Sequence, residues 1–172
     1  TSVTGVQTCA LPICVAVDDT NGNVWVTNTR QNTVAVYQQS NLSLVKQFEP
    51  GAVAHARDVV IDEANSRAYA SATGTGNIEV FDTKTLEQLD PIVVQSGKRG
   101  GDFSVMSLDI DTEGGTLVTV SMLSDEAAVV TLATGETKVF PLPGARSASG
   151  VAFDAKDGLI FVASQQTDNL LI

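Results

Sequence analysis

Short apolar runs, most of them followed by an acidic or turn-forming residue, recur along the chain, and no helical period is sustained between them. Val15-Ala16-Val17-Asp18, Val59-Val60-Ile61-Asp62, Leu108-Asp109-Ile110-Asp111 and Val151-Ala152-Phe153-Asp154 share one form, their closing aspartates 44, 49 and 43 residues apart. Seven residues after each aspartate stands a large or β-branched side chain: Trp25, Tyr69, Val118 and Phe161. A third apolar run follows in every unit, at 33–37, 78–81, 127–130 and 170–172, and a fourth at 44–48, 92–94 and 138–140. The runs are rich in Val, Ile, Thr and aromatic residues and are parted by Gly, Asn, Asp and Ser, so each is read as a strand and each junction as a turn. Asn21-Gly22, Gly114-Gly115 and Asp157-Gly158 fall between first and second runs and tolerate the positive φ of a hairpin turn. Four antiparallel strands restarting about every 40 to 50 residues predict an all-β fold, a β-propeller of four-stranded blades. Strands apolar on both faces favour stacked blades over a sandwich with one wet side. Blades are expected at about 14–50, 51–97, 98–143 and 144–172, the last stopping before its fourth strand.

The first thirteen residues stand apart. The segment 3–13 lacks the cadence of the rest and resembles the in-frame translation of a sequencing adapter. It is therefore set aside from fold reasoning, and the natural amino terminus with any signal peptide is expected to lie outside the chain. In the first unit, Val24-Trp25-Val26-Thr27-Asn28 followed by Asn32-Thr33-Val34-Ala35-Val36 resembles the YVTN family of propeller repeats, whose motif reads Tyr-Val-Thr-Asn and then Asn-Thr-Val-Ser-Val. Later units keep the shape and lose letters, as in Ala68-Tyr69-Ala70-Ser71-Ala72 and Ile160-Phe161-Val162-Ala163-Ser164, while Leu117-Val118-Thr119-Val120-Ser121 loses the aromatic as well. Within that family the chain is most similar to YncE-like bacterial proteins. The resemblance implies seven blades, an extracytoplasmic setting (periplasmic or secreted) and an association with single-stranded DNA. On this reading the chain is a fragment of about three and a half blades, whose bare outer faces are expected to drive self-association.

Composition narrows the chemistry. Ten Lys and Arg stand against twenty Asp and Glu, a net charge of −10 that argues against a generic nucleic-acid binder. One His and two Cys cannot build a His-rich metal centre, a cysteine zinc site or a disulfide framework. No apolar run reaches the roughly eighteen residues that a membrane-spanning helix needs. Neither a metal nor a cofactor is expected.

Loops leading into each first strand of a propeller, and those joining second to third strands, converge on one mouth of the channel. That rule gathers Arg30, His55, Arg57, Lys98, Arg99 and Arg146, five of the ten cations together with the single histidine. The opposite rim collects carboxylates, among them Asp18, Asp62, Asp82, Asp111 and Asp154. A concave, cation-lined mouth favours an anionic partner, a small molecule or a protein segment, which Arg can grip bidentately. Asp58, Asp102, Asp125 and Asp168 fall near the mouth and dilute its charge.

The expected function is that of a non-enzymatic binding or scaffold protein. One alternative is a lactonase-like hydrolase, since lactonases are related seven-bladed propellers and His55 beside Arg57 is the visible acid–base pair. The other is single-stranded DNA binding, which calls for aromatic residues among the mouth cations, with Phe103 the best placed. The recurring aspartate repeats once per blade in a turn and is read as an acceptor of backbone hydrogen bonds. Asp109-Ile110-Asp111-Thr112-Glu113-Gly114 echoes the opening of a calcium loop, but Val120 stands where that loop requires a bidentate Glu.

Overall fold

The computed structural model describes residues 12–172, and four antiparallel sheets account for nearly all of their regular structure. Most of the set-aside segment, up to residue 11, lies outside the described residues. Pro12 and Ile13 belong instead to the first strand, where Pro12 pairs with Asn28 across a bulge, so a boundary drawn at Cys14 falls inside a strand.

The first sheet comprises β1 (Pro12–Asp18), β2 (Asn23–Asn28), β3 (Thr33–Gln38) and β4 (Leu44–Gln47). The second holds β5 (Ala56–Asp62), β6 (Arg67–Ala72), β7 (Asn77–Asp82) and β8 (Ile92–Val93). The third holds β9 (Val105–Asp111), β10 (Thr116–Ser121), β11 (Glu126–Thr131) and β12 (Glu136–Pro141). The last has three strands, β13 (Ala148–Asp154), β14 (Leu159–Ser164) and β15 (Asn169–Leu171). Strands adjacent in sequence are adjacent in space, so every sheet is a meander. The leading strands β1, β5, β9 and β13 touch one another in that order, which sets the sheets radially about an axis with these strands innermost. The molecule is an arc of a β-propeller, each sheet a blade. Among the described residues no helix is long and apolar enough to cross a membrane.

Turn chemistry explains the cadence. Asp18 Oδ1 accepts the N–H of Asn21 at 3.2 Å and Asp62 Oδ1 that of Asn65 at 3.1 Å. Asp111 Oδ1 accepts from the amides of Glu113 and Gly114, and Asp154 Oδ1 from those of Lys156 and Asp157. Each carboxylate thus satisfies donors that the reversing chain takes out of the ladder. The turns close at positive φ on Gly22, Gly115 and Gly158, but on Ser66 (φ 56°) in the second blade, where a Cβ meets the crowding glycine avoids.

Outer strands are less uniform. The fourth strand of the second blade pairs only Val93 with Asn77 and Ile92 with Ile78, leaving a lone bridge between Gln88 and Phe81. Pro91, without an N–H to donate, separates the two pieces.

The core lies between blades. Trp25, Phe48 and Phe81 pack with ring centroids 4.6 to 6.0 Å apart, among Val34, Val36 and Val59, and join the first blade to the second. Tyr69, Ile78 and Val80 meet Leu108 and Leu117 at the second junction, and Val120 and Ala127 meet Ala148 and Val162 at the third. Trp25 and Tyr69 occupy one repeat position and both serve this packing. Burying each large apolar side chain contributes about 1.5 to 3 kcal/mol.

Candidate ligand-binding mouth

The antiparallel meander returns the chain to one end of the arc before every leading strand, and the β2–β3, β6–β7 and β10–β11 connections turn at that same end. Two hollows open there. His55 and Arg57, with Thr29, Ser104, Met106 and Met122, line one of about 470 Å³. Lys98, Arg99 and Asp102, with Ser96 and the glycines of the 95–103 loop, line one of about 630 Å³. Thr73, Gly74 and Leu123 belong to both walls, so the hollows adjoin. Both volumes fall within the roughly 300 to 1,000 Å³ of small-molecule sites.

Four of the six residues singled out in the sequence are therefore brought together. Arg30 and Arg146 line neither hollow. Arg30 lies in the 3₁₀ turn Thr29–Gln31, one residue from a wall of the first hollow. Arg146 leads into the last blade, its N–H donating to Ser164 Oγ at 2.8 Å.

Backbone ties hold the mouth in shape. His55 has φ 52°, its N–H donates to Asn32 Oδ1 at 2.8 Å, and its carbonyl accepts from the Thr73 hydroxyl at 3.0 Å. The main chain is clamped between two loops, while the exposed imidazole makes no hydrogen bond among the described residues. Gly76, at φ 74°, lies against the Phe103 carbonyl so closely that a Cβ would collide with it, which lets the 95–103 loop settle on the β6–β7 turn.

The base of that loop is pinned to the third blade through Glu126. Its carboxylate accepts the Ser96 hydroxyl at 2.6 Å and the Gly97 N–H at 3.1 Å, while the Lys98 ammonium donates to the Ser124 carbonyl. Burial works upward on the Glu126 carboxyl, but the Ser96 hydroxyl, the Gly97 amide and the Lys98 charge outweigh it and hold it below the usual carboxylate range. Arg67–Asp82, on the opposite rim, is the one ion pair among the described residues. Arg57 and Arg99 are exposed and unpaired within that set, available to an incoming anion. Phe103 is buried in the wall and offers no open ring for base stacking.

Sequence reasoning missed the staples along the channel. Asp58, on β5, accepts the Cys14 thiol on Oδ1 at 2.9 Å, and the Ser107 hydroxyl and Leu108 N–H on Oδ2 at 3.1 and 2.9 Å, tying three blades together. Burial, followed by the Asp58 contact, pushes the Cys14 thiol above its ordinary value. Asp109 likewise accepts the Phe153 N–H at 2.7 Å. Asp125, on the β10–β11 turn, accepts the Ser147 N–H at 2.7 Å, so this acid is occupied in joining blades. A signal for the Asp58 staple was present: Cys14, Asp58, Ser107 and Gly150 all stand four residues before the recurring aspartate, where none is an aliphatic strand former.

No protein-family model matches the chain, and no curated protein matches its sequence. Solved structures match its fold. A catalytically inactive virginiamycin B lyase from Staphylococcus aureus, solved with quinupristin, aligns at TM-score 0.75 and 13% identity over 98% of this chain and 57% of that one. A streptogramin B lyase aligns at TM-score 0.74 and 17% identity over 92% of this chain and 50% of that one. Hydrazine synthase from Kuenenia stuttgartiensis aligns at TM-score 0.71 and 20% identity over 90% and 44%. The chain spans about half the length of these structures. At such identities the likeness establishes the propeller and carries no activity with it.

Proposed function

We propose that the chain is a non-enzymatic binding module of the YVTN, YncE-like kind, working outside the cytoplasm and holding an anionic ligand at its mouth. One observation carries this reading: His55 and Arg57 on one side, Lys98 and Arg99 on the other, line adjoining hollows, and neither exposed arginine is engaged in an ion pair among the described residues. A concave site with low-dielectric walls focuses that positive potential despite the net charge of −10. Guanidinium groups suit carboxylate or phosphate oxygens, and Lys98, already oriented by Ser124, adds a fixed charge.

Inositol hexakisphosphate serves as a polyanionic probe in titration calorimetry. Arg57→Ala and Arg99→Ala are each expected to weaken it about 10-fold, the order of one charge-assisted hydrogen bond. Equal affinity of wild type and both variants would remove the mouth as the site. A single-stranded oligonucleotide titrated over a range of salt is expected to bind weakly; tight binding with a steep salt slope would favour the DNA reading instead.

A hydrolase reading keeps one point of support, the exposed His55 imidazole beside Arg57 in the first hollow. A general base is ordinarily oriented by a third group, and this imidazole has none among the described residues. Lactone hydrolysis lost in His55→Ala would decide for the enzyme.

A further inference from the structure

Twelve large apolar side chains are exposed among the described residues. Six belong to the first blade, and four, Phe140 among them, to the last blade or the groove beside it, so these ten lie toward the two ends of the arc. The other two are Val93, on β8, and Leu123, in the β10–β11 turn, at 52% and 66% exposure. Both line the second hollow, the one that holds Lys98 and Arg99. Away from the ends, then, the large apolar groups left open to water share a wall with two cations. Leu123 also borders the first hollow, where Met106 and Met122 extend the apolar wall beside Arg57. Every lining residue of either hollow falls between Thr29 and Leu123, so neither wall is built from the leading strand of the first blade or from the fourth blade.

The charge on these walls is modest. Asp102 is the one carboxylate among the lining residues, against Lys98, Arg99 and Arg57. That balance suits one or two negative charges better than the many of a polyanion. An anion that met only the cations would leave Val93 and Leu123 in water, whereas an apolar group laid over them gains by their dehydration and lowers the dielectric around the charged contact. We propose that the ligand of the mouth is an amphipathic anion, its carboxylate or phosphate head on Lys98 and Arg99 and its acyl or aryl group across Val93 and Leu123 toward Met122. The inference rests on the anionic reading of the mouth and adds the apolar half of the ligand. Lys98, held by the Ser124 carbonyl, fixes where the head goes, and the ridge at Leu123 fixes the direction of the tail.

Inorganic phosphate, octyl phosphate below its micelle concentration and neutral octyl glucoside are compared by titration calorimetry on the full 172-residue chain. Each methylene taken out of water is worth about 4-fold in affinity, so covering about three of them should make octyl phosphate about 60-fold tighter than inorganic phosphate. Octyl glucoside should not displace it. Leu123→Ser combined with Val93→Ser should bring the ratio below about 10-fold, and both positions are exposed enough for the variant to fold, which circular dichroism checks. Arg99→Ala should weaken both phosphates by a similar factor and preserve the ratio. Inositol hexakisphosphate bound in an Arg99-dependent way, with no gain from the octyl chain, would overturn this inference and leave the anionic mouth standing. Loss of Arg99 dependence for every phosphate would overturn both. A chain-length gain untouched by the double serine variant, or octyl glucoside competing as well as octyl phosphate, would place the tail elsewhere and overturn the proposal.

Discussion

Between the first two blades three aromatic rings interlock, and between the last two the equivalent space is filled by Met106, Val120, Ala127, Ala148 and Val162. The polar connections differ as well. Cys14 reaches Asp58, the Asp19 N–H and Thr20 hydroxyl donate to Glu63, and Asn21 donates to Thr83 across the first junction. At the third, Asp109 and Asp125 accept from the backbone of the last blade. A groove of about 620 Å³ lined by Phe140, Leu142, Phe153, Ile160 and Leu171 opens beside it. One repeat can thus be packed tightly or loosely, and the cadence alone does not set the strength of a junction. Stability in such arrays is close to a sum over neighbours, so the loosely packed end should open first.

The largest effect expected from this contrast is a pair of truncations. Phe81→Ala removes a ring from the aromatic junction and should cost about 3 to 5 kcal/mol in urea unfolding, whereas Val162→Ala at the third junction should cost about 1 to 2 kcal/mol. Trp25 is the single tryptophan, so its fluorescence reports the first junction while circular dichroism reports the whole arc. Losing dichroism at lower urea than fluorescence would sharpen the comparison, and coincident curves would break it.

Next come the channel staples. Asp58→Ala leaves the Leu108 N–H and two side-chain donors without their acceptor and should cost about 2 kcal/mol, against about 1 kcal/mol for Asp109→Ala, which frees the Phe153 N–H. Equal losses would show that the channel acids do not distinguish the junctions. At the middle junction, burial pushes the Tyr69 hydroxyl up to about 12, with Asp62 adding to the rise. Because the folded value is the higher one, its contribution is complete below about pH 10 and is lost as pH climbs toward 12, worth about 2 to 3 kcal/mol. Tyr69→Phe should flatten the alkaline limb of the stability profile; an unchanged limb would place the titration elsewhere. The smallest change is Ser66→Gly, expected to add about 0.5 to 1 kcal/mol by relieving a left-handed turn position, read as a small rise in melting temperature.

Much of the architecture was legible because it is local and repeated. Short apolar runs and an aspartate at each turn mark every blade independently, with a glycine at positive φ closing that turn in three of the four, and four repetitions leave little room for a rival topology. β1 begins at Pro12, two residues ahead of the boundary set at Cys14 by the adapter-like segment, with a bulge between Pro12 and Cys14. The split outer strand of the second blade was obscured by an apolar run at 92–94 that pairs over only two residues. The mouth was legible as a set of loops but not as hollows. Which cations meet depends on the path of the 95–103 loop, and that path follows from Gly76 against Phe103 and Glu126 under Ser96, contacts between residues some 27 to 30 positions apart. Arg30 and Arg146 satisfy the same loop rule and still fall outside the hollows, because the rule fixes a face and not a distance.

The two kinds of basic residue are not distributed alike. Arg57 and Arg99 line the hollows and Arg30 and Arg146 stand on loops at the same end, while four of the five lysines, Lys46, Lys84, Lys138 and Lys156, stand on outer strands or the far rim. Amine-reactive labels or resins would therefore tether the molecule mostly by its sides and back, with the concave end turned to solution. A dicarbonyl reagent selective for guanidines would instead favour the end where four of the five arginines stand, Arg67 being engaged with Asp82 on the far rim, a chemical means of telling the two ends apart before any ligand is known.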